Sequence, residues 1–439
     1  MLAKLSQTPQ INPLHELQKR YAICELSGAF YAVDLDRLTE PETSLSLYKR
    51  VDANVAFKRL LEALPVYCDS KDAIAQFWVS PNTTVYDKIA FSPIPTSATT
   101  LNLWVDPTVT PKAGKPPSLV LKHLKSVVCA DDDIKYEYLI NYLAHMLQKP
   151  DQKPGVMLVM VGEQGSGKGV TLKLIRRIFE GSSSIFNNIE HIVGNFNSAL
   201  ERLYVVMLDE ALFAGDKKST DRMKSLITED VIRIEAKHQP SRQIRSYHRF
   251  IATTNHSHFA HIDSGDRRHQ FFFVSDSKVG DYEYFEGLLS EIGDDQALAN
   301  LVYYLSNRDI SKFRPASLPK DQQKGDQVLR SLTGFDEFYY SRLLTGKQVG
   351  DSFSCWNDEY FASTDSILDG YKNYMKGRAR LPNMNTQATI SKLRELCPSG
   401  KKHRMSGQGG DMRGWKFPGI EGARADFSRV LKIKIEWGD

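Results

Sequence analysis

Residues 156–168 read VMLVMVGEQGSGK, and the fold turns on this stretch. The six apolar residues 156–161 run without a break between Gly155 and Gly162. Such a run predicts a strand buried on both faces, as in a parallel sheet. Gly162-Glu163-Gln164-Gly165-Ser166-Gly167-Lys168 then matches G-x-x-x-x-G-K, and the spacing over 168–179 predicts that a helix follows at once. Glycines let the backbone turn so that several N–H groups point at one anion, and the helix N-terminus adds its positive end. Lys168 supplies a charge for the outer phosphates of a nucleotide. The predicted cradle runs from Gly162 to Val170. A glycine-rich loop with a solvated lysine is the plainer alternative, and the flanking strand and helix weigh against it.

Working outward, apolar runs at 203–208 (LYVVML), 249–253 (RFIAT) and 270–274 (QFFFV) predict three more strands. Helical spacing lies between them, notably at 219–228. Strands alternating with helices predict an α/β core with a mostly parallel sheet. Asp209-Glu210 closes the second strand, 41 residues after Lys168. Two acids at the carboxyl end of a strand face the same crevice as the glycine-rich loop. Asp209 is the candidate to orient Mg2+ and its waters, and Glu210 the candidate to polarise an attacking water. Thr253-Thr254-Asn255 ends the third strand, 46 residues after Asp209. An amide there can bond both a phosphate and the attacking water. One departure stands out. Gly169 occupies the position where a Ser or Thr hydroxyl usually ligates Mg2+. Thr171 lies two residues further on, so water, phosphates and the carboxylates are left to hold the metal.

The chain has 439 residues, which predicts about two to four domains. Apolar residues make up 41% and charged residues 25%, as in an ordinary globular protein and unlike a disordered, collagenous or disulfide-scaffold chain. No stretch approaches the roughly 18 apolar residues of a membrane span. Residues 1–13 lack the apolar core of a signal peptide. The five cysteines stand singly, with no Cys-x-x-Cys, so neither a disulfide framework nor a zinc site is predicted and a reducing cytoplasm is expected. Net charge is only +4, yet residues 372–416 hold eleven lysines and arginines against Glu395 and Asp411. Within that segment 386–396 reads as a helix. A glycine-rich turn at 407–410 and Trp415-Lys416-Phe417 read as a β-wing. Helix and basic wing suit duplex DNA.

Residues 92–118 hold six prolines and predict loops, whereas 119–148 predict two helices with Asp131–Asp133 between them as a cap. Residues 281–306 and 325–345 also read as helical. The first 90 residues are mixed. Asp34-Leu35-Asp36 is weak ground for the paired acids of a primase, and Tyr21, Phe30, Tyr31 and Tyr48 read as core rather than as a stacking platform.

The order of loop (162–168), Asp-Glu strand (204–210), hairpin and Thr-Thr-Asn (253–255), with only 87 residues from Lys168 to Asn255, resembles a superfamily 3 helicase. More narrowly it is similar to the helicase part of phage and plasmid primase–helicases. The resemblance covers about residues 90–420, through Asn102-Leu103-Trp104 upstream and Gly265-Asp266-Arg267-Arg268 downstream. It implies an AAA+-like P-loop NTPase core that binds ATP and Mg2+, works as a hexameric ring and moves along single-stranded DNA. It implies that residues 231–254 form a hairpin projecting into the ring channel, with Lys237, His238, Arg242 and Arg245 on phosphates. It implies an arginine finger at Arg267 or Arg268, acting on the neighbouring subunit's nucleotide. It is also consistent with a winged-helix-like C-terminal domain, in which Lys401, Lys402 and Arg404 meet DNA. The expected division is an accessory domain (1–90), a helical collar (91–150), the ATPase core (151–280), a helical extension (281–345) and the basic domain (346–439). A separate primase is a further partner such a protein can use. Two other functions stay open: an origin-binding initiator ATPase without strong unwinding, and a nucleotide-dependent switch that does not act on DNA.

Overall fold

The computed structural model describes residues 11–39, 45–64, 70–210, 217–237, 239, 241–255, 267–319, 329, 332, 334–376, 385–407, 410–431 and 433–437. Contacts divide the chain into two units: residues 1–256 with 268–319, and residues 257–267 with 320–439.

The first unit opens with α1 (Pro13–Arg20), whose cap Asn12 accepts from the N–H groups of Leu14 and His15. Next come β1 (Tyr21–Leu26), β2 (Ala29–Asp34), β3 (Leu47–Lys49), α2 (Arg50–Glu62), α3 (Ser70–Phe77) and β4 (Val85–Tyr86). The strands form one sheet in the order β3-β2-β1-β4. Side chains alternate across it. Tyr21, Ile23 and Ala32 pack with Phe57 and Phe77 of the helices. Ala22, Cys24, Tyr31 and Val33 share a core with Leu158, Met207 and Ile251 further along the chain. Both faces are covered, which is why this region reads as mixed. Tyr21 and Tyr31 are buried as expected, but Phe30 is 55% exposed. It sits at the turn end of β2, where neither face is covered. Asp34 is buried and accepts from Arg20 Nε and Nη2, with Arg37 also close, so the acids of 34–36 are held by arginines.

Two short parallel strands, β5 (Lys88–Ala90) and β6 (Thr100–Asn102), precede the proline-rich loops. α4 (Ser118–Lys122) widens into a π turn (His123–Val128), and α5 (Asp133–Gln148) starts on Asp132, whose carboxylate accepts from Ile134 N and Lys135 N. The main sheet follows: β7 (Met157–Val161), α6 (Lys168–Ile178), β8 (Ser183–Phe186), α7 (Glu190–Val193), β9 (Val205–Asp209), α8 (Lys217–Thr228), the hairpin β10 (Val231–Ile234) and β11 (Arg242–Arg245), then β12 (Arg249–Thr254) and β13 (His269–Phe273). Its five strands are all parallel, in the order β13-β7-β12-β9-β8. Every residue of β7 and β12 is buried, which accounts for their unbroken apolar runs. α9 (Tyr282–Gly293) and α10 (Asp295–Ser306) close the unit.

The second unit runs α11 (Gly334–Thr345), β14 (Tyr360–Ser363), α12 (Thr364–Met375), α13 (Thr386–Leu396), β15 (Lys401–Gly407), β16 (Gly410–Phe417) and α14 (Ile420–Leu431). Its sheet is antiparallel, in the order β14-β16-β15. Phe338, Tyr339, Trp356, Tyr371, Trp415, Phe417 and Phe427 fill its core. Among the described residues no helix is long and apolar enough to cross a membrane.

Candidate functional site

β7 ends at Val161 and the chain turns at once through Gly162–Gly167 into α6. Gly162 N–H donates to Thr254 O at 3.2 Å, so the loop springs from beside the end of β12. Gly165 and Gly167 have φ of +80° and +100°, a backbone region that favours glycine. Lys168 begins α6. Its ammonium donates to Gly162 O at 2.8 Å and Glu163 O at 2.7 Å, and Ser166 lies buried beside it. Burial pulls the lysine's pKa down, while the carboxylates of Asp209 and Glu210 pull it the other way. Gln164 and Gly169 are exposed, Val170 half-buried, and a Cβ added at Gly169 would meet nothing within 4 Å.

The acids arrive through sheet register. Asp209 ends β9 directly opposite Thr253 of β12, and Thr253 Oγ1 donates to Asp209 Oδ1. Glu210 has φ of +53°, uncommon for a residue with a side chain. Its N–H donates to Thr253 O at 3.1 Å, and its Oε1 accepts from Asn255 Nδ2 at 2.6 Å. Strained backbone of this kind persists where the surroundings over-determine it, as they do at functional sites. Lys168, Asp209, Glu210 and Asn255 thus meet at the carboxyl edge of adjacent parallel strands.

Behind the loop lies a network that sequence reasoning missed. His123, on the π turn, is buried with Nδ1 3.0 Å from Tyr284 Oη and Nε2 3.2 Å from Thr171 Oγ1. Thr171 Oγ1 donates to Gly167 O at 3.3 Å. Burial lowers the His123 pKa to about 4, so the ring is neutral at pH 7. No spacing connects residue 123 with 171, and only the folded chain brings them together. Thr253 was missed as well, although it stands within Thr-Thr-Asn.

Thr171 is turned inward, and Gly169 carries no side chain, so neither offers a hydroxyl to a metal. Among the described residues no group of three or more His, Cys, Asp or Glu is placed to hold an ion. Mg2+, however, commonly takes one or two carboxylates and fills its remaining positions with water and substrate phosphate. Asp209 beside Glu210 fits that mode.

The predicted arginine pair is elsewhere. Arg268 O accepts from Met157 N at 2.7 Å, and β13 starts at the next residue, opposite Met157. Arg268 therefore sits at the amino edge of the sheet. The five residues of β7 separate that edge from the loop, roughly 16 Å at strand rise. The backbone of Arg268 is thus at the far end of β7 from the loop.

The hairpin needs one correction. Arg242 was expected on a nucleic acid, but it makes a two-armed ion pair with Glu201, a carboxylate 1% exposed. It stands opposite Ile234, on the inward face with Ile232 and Ile244. The outward face carries Arg245 and Arg233, both exposed, and sequence reasoning overlooked Arg233. Strict alternation over Val231–Ile234 would have found it. Lys237 is exposed in the turn, and His238 lies outside the described residues. Lys401, Lys402 and Arg404 are all exposed on β15.

Comparisons with known proteins bear on the same region. A protein-family model described as a family of unknown function (DUF5906) matches residues 160–268, from the end of β7 to the start of β13. The DNA primase-polymerase of Nitratiruptor phage NrS-1 is 28% identical over 251 residues, covering 52% of this chain. The match spans 34% of that relative's length. An apo structure of the NrS-1 C-terminal region matches with a TM-score of 0.58 at 16% identity, covering 92% of this chain and 99% of that one. The A form apo structure of the same region gives 0.59 at 16% identity, with 93% and 100% covered. At such identity the structural likeness is one of fold.

Proposed function

We propose that the protein is an ATP-driven DNA helicase of phage-type replication, with a P-loop NTPase core of the AAA+-like superfamily 3 kind and a winged-helix-like C-terminal domain. The meeting of Lys168, Asp209, Glu210 and Asn255 at one sheet edge carries this reading. The all-parallel sheet supports the core assignment. The helix-strand-helix-helix-strand-strand order of the second unit supports the winged-helix assignment. Sequence similarity to a phage DNA primase-polymerase supports a role in DNA replication.

In this reading Gly162–Val170 wrap the phosphates and Lys168 leaves the loop carbonyls for the outer phosphate. Mg2+ would be held by Asp209 with water and phosphate, and when bound it neutralises phosphate charge. Glu210 takes a proton from the attacking water, and Asn255 fixes that carboxylate and reaches the phosphate. Arg267 or Arg268 acts on the neighbouring subunit's nucleotide, which calls for an oligomeric ring such as a hexamer. Lys237, Arg245 and Arg233 face the DNA.

The test compares wild type with Lys168→Ala for ATP hydrolysis and for displacement of a labelled strand. Both activities vanish in the variant if the reading holds; unwinding that survives without Lys168 overturns it. A duplex-specific binder with little strand displacement would instead favour an origin-binding initiator, for which the basic second unit is the supporting observation.

A further inference from the structure

The glycine-rich loop joins α6 through one peptide, Gly167–Lys168. Gly167 O accepts from Val170 N and Thr171 N at 3.1 Å each, and from Thr171 Oγ1 at 3.3 Å. A trans peptide is planar, so its N–H points opposite to its carbonyl. The direction of Gly167 O therefore sets the direction of the Lys168 N–H. Lys168 is the first residue of α6, and the first N–H groups of a helix have no carbonyl partner within it. Such groups are what a phosphate meets at a helix N-terminus.

The side chains behind this peptide form a directed chain. Thr171 Oγ1 carries one proton. With that proton on Gly167 O, the hydroxyl can only accept from His123, so His123 Nε2–H donates across the 3.2 Å between them. The neutral ring then has Nδ1 as an acceptor, and the Tyr284 hydroxyl donates to it at 3.0 Å. This assignment satisfies all three bonds. With the ring proton on Nδ1, Thr171 would turn to Nε2 and Gly167 O would lose the hydroxyl. Bonds in such a chain polarise one another. The ring also has little room to move. His123 is 2% exposed, and Phe285 packs edge-on to it with centroids 6.4 Å apart. His123 opens the π turn, and π turns within helices are frequent at functional sites.

We infer that His123 is a positioning residue of the phosphate site. Through Thr171 it holds the Gly167–Lys168 peptide with its N–H toward the anion, and Tyr284 fixes the tautomer that can do so. The inference rests on the nucleotide reading of the loop and adds two segments, the π turn and α9, that set the loop from behind.

The test measures, on the full chain, Kd for a fluorescent ATP analogue, kcat at saturating ATP and the urea midpoint. Thr171→Val keeps the side-chain shape and removes the hydroxyl. Its Kd rises about tenfold, as for one hydrogen bond acting on a charged ligand, while kcat at saturation stays within about threefold. Thr171→Ser keeps the hydroxyl and the wild-type Kd. Tyr284→Phe keeps the ring of a half-buried residue, so it folds, and raises Kd about threefold. His123→Gln, whose amide N–H can replace Nε2–H, binds the analogue more tightly than His123→Leu. A purely structural role would instead lower the urea midpoint and leave the Kd of the folded protein unchanged. An unchanged Kd in Thr171→Val, an equal loss in Thr171→Ser, or a loss confined to kcat overturns the inference. Any of these beside normal binding by wild type removes the positioning role alone. If wild type binds no analogue, or Lys168→Ala binds it equally well, the nucleotide reading falls and the positioning role falls with it.

Discussion

Asn255 Nδ2 donates to Glu210 Oε1 across 2.6 Å, tying together the ends of two neighbouring strands. The bond leaves the other carboxylate oxygen of Glu210 to act. On the proposed function, Glu210→Gln keeps nucleotide affinity and loses turnover by roughly 10²–10⁴-fold, the usual share of a general base. Asn255→Ala loses less, roughly tenfold, the worth of one hydrogen bond. Single-turnover hydrolysis beside binding of a fluorescent ATP analogue separates these effects. Equal losses of affinity and turnover in Glu210→Gln would count against its role.

Position 169 makes a second prediction. An added side chain there meets nothing within 4 Å, so Gly169→Ser folds normally. Its hydroxyl restores a ligand that this chain lacks, and serine favours a helix interior over glycine by a few tenths of a kcal/mol, so Tm does not fall. A Mg2+ titration of ATP hydrolysis then shows half-saturation at lower metal than in wild type. An unchanged titration would mean that the carboxylate and phosphate ligands already suffice.

Arg242 and Arg245 sit three residues apart with opposite expected phenotypes. Arg242→Ala leaves Glu201 buried and unpaired, which costs about 3–5 kcal/mol and shows as a lowered urea midpoint. Arg245→Ala leaves the midpoint in place and lowers the salt slope of DNA binding by about one. A stable Arg242→Ala protein with weakened DNA binding would mean that Arg242 contacts the DNA and does not chiefly neutralise Glu201.

Acid should weaken the fold through three histidines. Burial lowers the pKa of His123 and His145 to about 4 and of His248 to about 3. Unfolded histidine takes up its proton near 6.5. Between those values the unfolded chain binds more protons, so stability rises with pH. It is fully present above about 6.5 and lost as pH falls toward 4. His248 is held by Ser246 Oγ and Leu200 O at 2.8 Å each, and His248→Gln should flatten the dependence at some cost in stability. Urea midpoints at pH 7, 6 and 5 measure it; a level midpoint across that range contradicts the prediction.

The parts legible in the sequence are those where burial is uniform or chemistry is local. β7, β9 and β12 stand out because both faces are covered. The loop at 162–168 and helix 386–396 carry their signals within a few residues. Long-range pairing was not legible. Glu201 lies 41 residues before Arg242 with no motif around it, so an inward arginine passed for a DNA contact. His123 precedes Thr171 by 48 residues. In the N-terminal sheet one face packs on its own helices and the other on distant strands, so neither period dominates.

The contacts around Gly167 also constrain how this protein can change. A methyl group there would meet His123 Cε1 at 2.5 Å and Phe285 Cε1 at 3.0 Å. A side chain at residue 167 would need the His123 ring to shift and the Phe285 ring to give way, and at a φ of +100° its backbone would still be strained. Substitutions at the three positions are coupled through that shared space. Segments more than a hundred residues apart are therefore bound to one mutational history.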